Sequence, residues 1–316
     1  MPQMPTLTFE NGDTLPQLGL GTWKSEPGEV GAAVLQALQL GYRHLDGAFI
    51  YGNEKEIGEA LQKAFADGIV QREELWVTSK LWNDAHAPDD VKPAVQKTLA
   101  DLQLEQLDLY LMHWPVAHRP GVMLPKAASD MVPLDELPLA TTWAAMEQLV
   151  QEGLVKHIGV SNFSVPKLRA LVDGAAHKPE MNQVEMHPYL QQPELVAYCQ
   201  EAGVHLTAYS PLGSPGTRPG DTLVLLQDEV VGTIADAKGC SAAQVLLAWA
   251  LARGTAVIPK SVNPERLAQN LAATDVALTD DEMAQLAALD RHRRYIDGSF
   301  WAVEGSSYTV SNLWDE

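Results

Sequence analysis

Short apolar segments alternate along the whole chain with longer segments in which apolar residues recur every three to four positions. The short segments predict β-strands and the longer ones predict amphipathic helices. Strands are predicted at residues 17–21, 44–46, 75–80, 107–112, 157–161, 181–185, 205–209 and 256–259. Helices are predicted at residues 30–40, 54–66, 91–102, 142–152, 167–176 and 194–202. Eight strand-helix units favour a (β/α)8 TIM barrel, with a doubly wound sheet as the alternative.

The alternation continues through the middle of the chain without a Pro/Gly-rich linker, which predicts one domain over residues 1–316. Before the first barrel strand, residues 6–9 and 14–17 flank Asn11-Gly12, a dipeptide suited to a tight turn. We expect an N-terminal hairpin that closes the bottom of the barrel. After the last unit, Thr279 and Glu282 form a capping box that predicts a helix over 279–289. The tail from 291 to 316 has no clear period.

Two connections, residues 114–137 and 213–227, are longer than ordinary loops and are rich in Pro, Gly and polar residues. Loops of this length in a compact domain are usually functional, often as lids over a site. The sequence therefore predicts two long loops without regular structure beside a functional site.

Charge and cysteine content narrow the function classes. The chain has 22 Lys+Arg against 41 Asp+Glu, a net charge of −19, which argues against binding to nucleic acid or to anionic membranes. A hydrophobic fraction of 46% is typical of a globular protein. The start of the chain lacks the features of a secretory signal, so a cytoplasmic location is expected. Cys199 and Cys240 cannot form a disulfide framework, and both are expected to be buried thiols.

Polar residues stand where most of the predicted strands end. Carboxyl ends of barrel strands meet at one rim, and barrel enzymes carry their chemistry there. We therefore expect these side chains to share one site. They are Asp46, Lys80, His113, Ser161, Asn162, Gln183, Glu185, Tyr209, Ser210, Lys260 and Ser261.

The residue types at this rim suit the protonation of an oxygen. Tyr51 follows Asp46 closely, and a phenol of ordinary pKa, about 10, is a weak acid near neutrality. We expect the Lys80 ammonium to lower the pKa of Tyr51 and Asp46 to hold that ammonium in place. His113 can donate a hydrogen bond to a carbonyl oxygen. Carbonyl reduction also needs hydride, which no side chain supplies, so a nicotinamide cofactor is implied.

The familiar cofactor and metal motifs are missing from the sequence. No G-x-G-x-x-G opens a helix, no phosphate-binding P-loop occurs and no H-E-x-x-H is present, so no metal site is predicted. A basic cluster after the last strand has the donors that a phosphate needs. It consists of Lys260, Ser261, Val262, Arg266 and Asn270.

Five motifs together resemble the aldo-keto reductase superfamily, in particular its NADPH-dependent aldehyde and aldose reductase branch. They are GYRHLDGAFIYGNE at 41–54, LMHWP at 111–115, GVSNF at 159–163, AYSPLG at 208–213 and IPKS at 258–261. The resemblance covers essentially the whole chain. It implies an NADP-dependent oxidoreductase that reduces aldehydes and some ketones to alcohols, with a catalytic tetrad of Asp46, Tyr51, Lys80 and His113. Tyr51 would be the general acid.

The same resemblance implies how NADPH would be held. Ser161, Asn162 and Gln183 would hold the nicotinamide carboxamide, and Tyr209 would stack on the ring. Lys260, Ser261 and Arg266 would bind the 2′-phosphate, which favours NADPH over NADH. The remaining implied cofactor contacts are Thr22, Trp23, Ser210, Leu212, Ser214, Val262, Gln269 and Asn270.

The implied substrate pocket has aromatic walls, which suit apolar or aromatic aldehydes. Its residues would be Trp23, Ile50, Trp82, His113, Trp114, Leu124 and Trp301, with Phe300 and Tyr308 nearby in the tail. A small-molecule carbonyl compound is the expected partner, and the resemblance implies a monomer.

Two departures from the family pattern are visible. Gly47 and Phe49 replace commoner residue types beside Asp46, which predicts an altered floor of the site. The loop after Ser214 is short, running through Gly216-Thr217-Arg218, which predicts faster cofactor release. A different class of function also stays open: a barrel that binds NADPH but turns over slowly or not at all, and acts as a regulatory subunit.

Overall fold

The computed structural model describes residues 4–214 and 223–316, which form twelve strands and eleven α-helices. The strands are β1 (Thr6–Thr8), β2 (Thr14–Pro16), β3 (Leu20–Gly21), β4 (His44–Asp46), β5 (Trp76–Leu81), β6 (Leu107–Met112), β7 (Ala117–His118), β8 (Met131–Val132), β9 (Val155–Ser161), β10 (Met181–Glu185), β11 (His205–Tyr209) and β12 (Ala256–Val257). The helices are α1 (Val30–Leu40), α2 (Glu54–Ala66), α3 (Pro88–Leu102), α4 (Leu139–Gln151), α5 (Val165–Gly174), α6 (Pro193–Ala202), α7 (Glu229–Lys238), α8 (Ala242–Ala252), α9 (Pro264–Leu271), α10 (Asp280–Ala287) and α11 (Val310–Trp314).

Eight parallel strands form one sheet in the order β3-β4-β5-β6-β9-β10-β11-β12. The sheet closes between its first and last strands. The Gly19 amide donates to the Val257 carbonyl over 2.8 Å, and the Val257 amide donates to the Gln17 carbonyl over 2.6 Å. A Cβ at Gly21 would lie 2.5 Å from the Ile258 carbonyl oxygen, so this seam requires glycine. The (β/α)8 prediction is confirmed, and the doubly wound alternative is wrong.

The N-terminal hairpin is also confirmed. Strands β1 and β2 pair antiparallel, with Leu7 opposite Leu15. Leu7, Phe9 and Leu15 are buried in a cluster with barrel-strand residues that include Trp76 and Met181. The hairpin therefore fills one end of the barrel with apolar side chains.

Helix boundaries differ from the predicted ones mainly where proline is involved. Helices α3 and α6 begin at Pro88 and Pro193, because the first turn of a helix tolerates proline. Helix α10 has the predicted capping box, in which Thr279 accepts from the Glu282 amide. The predicted helices do not include α7, α8 and α9. Helix α8 is apolar on almost every side and largely buried, so it lacks the amphipathic period.

Two segments expected to be irregular contain short elements. In the first long connection, β7 and β8 pair antiparallel, with Ala117 opposite Val132. The C-terminal tail forms a 3₁₀ turn, Ser299–Trp301, and then α11, which Thr309 caps. Such short elements depend on packing rather than on periodicity. In the second long connection, residues 215–222, including Gly216, Thr217 and Arg218, lie outside the described residues.

Both thiols are free, as expected, but only Cys199 is buried, while Cys240 is half-buried. Within residues 4–214 and 223–316, no helix combines the length and the apolar character that crossing a membrane requires.

Candidate active site

The sheet register brings the polar strand ends to one rim of the barrel. Gly21 pairs with Asp46 in the neighbouring strand, and Gln183 pairs with Ser161. Glu185 pairs with Tyr209 at the end of the next strand pair. The side chains that follow successive strands therefore surround one opening, as the pattern predicts.

A buried ion pair lies at the centre of this rim. Nζ of Lys80 is 2.5 Å from Oδ1 of Asp46 and donates a second hydrogen bond, of 2.7 Å, to the Gly47 carbonyl oxygen. Both side chains are almost fully buried. Burial alone would lower the pKa of Lys80, but Asp46 and Tyr51 together raise it. The ammonium is therefore charged and held by fixed acceptors.

Tyr51 lies beside this pair at the end of a 3₁₀ turn, Phe49–Tyr51, which Gly52 terminates with a φ of 69°. Nζ of Lys80 is 5.3 Å from the centroid of the phenol ring. The His113 ring meets the Tyr51 ring edge-on, with centroids 5.9 Å apart. Asp46, Tyr51, Lys80 and His113 thus form one contact group, although they come from three strand ends and a turn.

The net shift of the Tyr51 pKa is opposite to the predicted one. Burial is the largest effect and raises this pKa, whereas the Lys80 charge opposes it. Lys80 lowers this pKa as predicted, but burial outweighs it, and local sequence contains no measure of desolvation. The phenol is consequently in its acid form at neutral pH.

His113 is a neutral imidazole in this setting. Burial lowers its pKa well below the ordinary value, and the charge of Lys80 adds to that effect. A neutral imidazole can donate one N–H without bringing a second positive charge next to the ammonium. The ring also meets the Trp82 ring edge-on, with centroids 5.1 Å apart.

Polar side chains in or just after β9, β10 and β11 bond to one another and to the ion pair. The Gln183 amide donates to Oδ2 of Asp46 over 2.7 Å, and Ser161 donates to the Gln183 carbonyl oxygen over 2.8 Å. Asn162 has a left-handed φ of 64° and donates to the His113 carbonyl oxygen over 3.0 Å. The Tyr209 hydroxyl donates to Oδ1 of Asn162 over 2.7 Å. The predicted residues are therefore brought together as one network.

The basic cluster lies next to the seam of the barrel. Lys260 forms an isolated bridge with Gly21, and Arg266 lies in the first turn of α9, where Asn263 caps the helix. Both cations are exposed, as is Gln269, whereas Ser261 and Asn270 are buried and Val262 is half-buried. Across the described part of the chain, neither Lys260 nor Arg266 has a carboxylate partner. An anion could therefore bind both cations.

The predicted pocket walls separate into a packed group and an open rim. Trp82, Trp114 and Trp301 are buried, and the Trp301 centroid lies 5.7 and 5.8 Å from the other two. Half-buried Ile50 packs against the same cluster. Leu124 and Trp23 are 63% and 38% exposed, so they do not belong to the packed wall.

Tyr308 differs from the other aromatic residues of the predicted pocket. Its hydroxyl donates to the Val132 carbonyl over 2.8 Å and accepts from the Ala117 amide over 3.1 Å. It therefore joins the tail to β7 and β8, a structural contact that sequence reasoning did not identify. Phe300, 51% exposed, packs edge-on against Trp114 with centroids 5.6 Å apart.

Three further residues stabilise the site through hydrogen bonds. The sequence pattern does not predict this role for any of them. Thr22 donates through its hydroxyl to the Asp46 carbonyl over 2.9 Å, and Asn53 donates to the Thr22 carbonyl over 3.0 Å. Glu54 is buried at the start of α2 and accepts hydroxyls from Ser79 and Thr98, at 2.5 and 3.0 Å. Burial raises the pKa of Glu54. These contacts flank the turn that carries Tyr51.

The two unusual residues beside Asp46 have different effects. At Gly47 a Cβ would make only ordinary contacts, 3.7 Å from the Thr78 carbonyl, so glycine is not sterically required there. The Gly47 contact to Lys80 also uses the backbone, which any residue provides. Phe49 packs against the tryptophan cluster, and at this position the floor of the site is aromatic.

The remaining implied cofactor residues lie at the end of β11. Ser210 has a left-handed φ of 47° and accepts a 2.7 Å hydrogen bond from the Ser214 hydroxyl. Leu212 is partly buried against the main core.

Comparisons with known proteins identify relatives that are similar over nearly the whole chain. An aldo/keto reductase of Synechocystis is 57% identical over 99% of this chain and 97% of its own length. Aldo-keto reductase family 1 member A1 of Homo sapiens is 52% identical over 91% of this chain and 90% of its own. The aldose reductase structure from Schistosoma japonicum superimposes with a TM-score of 0.88 at 40% identity, covering 96% of this chain and 100% of that one.

A family model described as the aldo/keto reductase family matches residues 17–291. The match spans the barrel from its first strand to the segment after α10. With the arrangement of Asp46, Tyr51, Lys80 and His113, it leads to one conclusion: the chain belongs to the aldo/keto reductase family, whose members are oxidoreductases of carbonyl groups and generally use NADPH.

Proposed function

We propose that this protein reduces aldehydes, and some ketones, to alcohols with NADPH, and that Tyr51 is the general acid. The observation that carries the proposal is the position of the Lys80 ammonium, held by Asp46 and the Gly47 carbonyl beside the Tyr51 phenol. A protonated phenol next to a fixed positive charge can give up its proton as negative charge develops on a substrate oxygen.

The residues present fit NADPH. Lys260 and Arg266 are exposed and have no carboxylate partner within the described residues, which suits the 2′-phosphate. The half-buried Tyr209 ring, tied to Asn162, offers a flat surface at the strand end for the nicotinamide. Ser161, Asn162 and Gln183 surround this position with hydroxyl and amide groups. When bound, NADPH supplies the hydride.

Each tetrad residue then has a definite task. Tyr51 donates its proton to the carbonyl oxygen of the substrate. Lys80 stabilises the resulting phenolate, and Asp46 keeps Lys80 charged and in place. Neutral His113 donates a hydrogen bond to the same substrate oxygen and orients the carbonyl group. All four act within a buried setting, where such interactions are stronger than in water.

The wall beside His113 selects the substrate. Trp82, Trp114 and Trp301 form a packed aromatic surface that matches aromatic or long apolar aldehydes. Trp23 and Leu124 extend this surface to the rim.

Tyr51→Phe tests the proton donor. NADPH oxidation with an aromatic aldehyde should fall by about three orders of magnitude, within the usual range for general acid catalysis, while quenching of protein fluorescence by NADPH persists. Undiminished turnover in this variant would refute the role of Tyr51. Wild-type protein that binds NADPH without aldehyde-dependent oxidation would instead support a regulatory barrel.

Arg266→Ala tests the cofactor assignment. The KM for NADPH should rise by at least ten-fold and that for NADH should stay constant, because only NADPH carries the 2′-phosphate. Arg291→Ala is the matched control, since Arg291 is also exposed but pairs with Asp228. Equal effects of Arg266→Ala on both cofactors would contradict the assignment.

A further inference from the structure

Glu185 is a strand-end carboxylate that the proposed chemistry does not use. It is fully buried at the end of β10. Its Oε1 accepts from the Tyr295 amide over 2.7 Å, and its Oε2 accepts from the Ile296 amide over 2.7 Å. Nε2 of His187 lies 2.8 Å from the same Oε1. The carboxylate thus connects the barrel rim directly to the backbone of the tail.

The tail that starts at this contact forms part of the substrate wall. Ile296 packs against the cluster that contains Trp82, Trp114 and Trp301. Trp301 belongs to the same tail, five residues further on. Since Gln183, which bonds Asp46, lies in the same strand as Glu185, one rigid strand holds both the wall and the ion pair.

Tyr295 also contacts the second long connection at both of its described ends. A Cβ at Gly213 would lie 3.2 Å from Cε2 of Tyr295, and Gly213 has a φ of 76°, so glycine allows both the turn and the close approach. The Tyr295 hydroxyl donates to the Leu223 carbonyl over 3.0 Å. Gly213 is next to Ser214, one of the expected cofactor contacts.

We propose that Glu185 is a positioning residue that controls two properties of the site through the tail. It fixes the aldehyde-binding wall through Ile296, and through Tyr295 it fixes Gly213 and Leu223, the former next to the expected cofactor contact Ser214. This inference rests on the proposed function, because both properties are those of an NADPH-dependent carbonyl reductase.

Three variants separate the two effects. Glu185→Gln keeps the side-chain volume but replaces one acceptor oxygen by a donor, so one tail amide loses its partner. Tyr295→Phe removes the hydroxyl that bonds Leu223 and keeps both backbone amides on Glu185. Asp108→Asn is the matched control, because Asp108 is a buried carboxylate near the start of β6 that accepts the Val77 amide over 2.9 Å.

The measurements are aldehyde KM and kcat, the rate of NADP⁺ release by stopped-flow fluorescence, and thermal stability. Glu185→Gln should raise the aldehyde KM about ten-fold and speed NADP⁺ release by a similar factor, as expected for one lost hydrogen bond to a charged group. Tyr295→Phe should speed release about three-fold and leave the aldehyde KM unchanged. Asp108→Asn should lower only the melting temperature.

The outcomes distinguish the inference from the proposed function. If Glu185→Gln resembles Asp108→Asn, with lower stability but unchanged KM and release, the positioning role is overturned. If the wild type reduces aldehydes but Tyr295→Phe releases NADP⁺ at the wild-type rate, the link to the cofactor is overturned. If Glu185→Gln does not fold, Glu185→Asp replaces it. The aspartate side chain is one methylene shorter, so both acceptor oxygens lie farther from the tail amides. Failure of the wild type to bind NADPH would refute the proposed function itself.

Discussion

The side-chain amide of Gln183 donates a 2.7 Å hydrogen bond to Oδ2 of Asp46, while Oδ1 of the same carboxylate binds Lys80. A residue expected only at the cofactor therefore also orients the ion pair that supports Tyr51. In the proposed function, cofactor binding through Gln183 and proton donation by Tyr51 would therefore both depend on the Asp46 carboxylate.

Gln183→Met should consequently impair more than cofactor binding. It leaves one oxygen of a buried carboxylate without its donor, at a cost of about 2 kcal/mol in the free energy of unfolding. We expect a higher Kd for NADPH and also a lower rate of the hydride-transfer step in single-turnover experiments with saturating NADPH. A normal single-turnover rate would show that Gln183 acts only in cofactor binding.

Lys80→Met should remove activity and stability together. Asp46 would remain as an uncompensated buried charge, so the free energy of unfolding should fall by about 3–5 kcal/mol. Turnover should drop at least a hundred-fold. The double variant Lys80→Met with Asp46→Asn is the control: denaturant unfolding should show recovered stability while aldehyde reduction stays lost. Recovery of activity in the double variant would contradict the role of Lys80.

The pH profile of reduction should reflect the raised pKa of Tyr51. Burial raises this pKa above the ordinary value of 10.0, so the phenol stays protonated across the neutral range. We expect kcat/KM for aldehyde reduction to be independent of pH from about 6 to 9. Steady-state rates over this range provide the measurement. A Tyr51 titration near neutrality would show that the Lys80 charge affects the Tyr51 pKa more than burial does.

A partly buried charge cluster at the bottom of the barrel should make stability depend on pH. His157 lies between Asp13 and Glu180, with each of its ring nitrogens 3.0 Å from one carboxylate oxygen. Burial alone would lower the pKa of His157, but the two carboxylates raise it. Burial alone would raise the pKa of Glu180, but His157 and His177 lower it to about 2.

The directions of these two pKa shifts define the pH range in which the charge cluster stabilises the fold. The His157 contribution is complete below its unfolded pKa of about 6.5 and is lost as pH rises through the raised folded value. The Glu180 contribution is complete above about 4.5 and is lost as pH falls towards 2. The difference in unfolding free energy between wild type and His157→Gln should therefore be largest between about pH 4.5 and 6.5. A difference that grows above neutrality would contradict a charged His157.

Tyr308→Phe should loosen the contact between the tail and the first long connection. The Tyr308 hydroxyl bonds both Ala117 and Val132, so its removal leaves one buried amide without a partner. We expect a loss of about 1–3 kcal/mol in unfolding free energy and faster limited proteolysis after residue 114. Phe300→Leu, at an exposed position in the same tail, should leave stability within about 0.5 kcal/mol of wild type.

The sequence alone determined the barrel and the residues at its rim. Strand and helix periods are local properties, and parallel strands that share a sheet must bring their carboxyl ends together, so Asp46, Lys80, His113 and Tyr209 could be placed at one opening in advance. The hairpin and the α10 capping box depend on turn and cap chemistry within a few residues. The predictions of the hairpin and of α10 are correct because they, too, depend only on local sequence.

Only the tertiary structure decided which side chains bond one another. The contacts of Gln183 with Asp46 and of Glu185 with the tail join residues more than a hundred positions apart, and no local pattern specifies such pairs. The short elements of the first long connection and of the tail form because Tyr308 and the tryptophans pack them together. The direction of the Tyr51 pKa depends on how completely the surrounding chain excludes water, since desolvation there exceeds the effect of the neighbouring Lys80 charge.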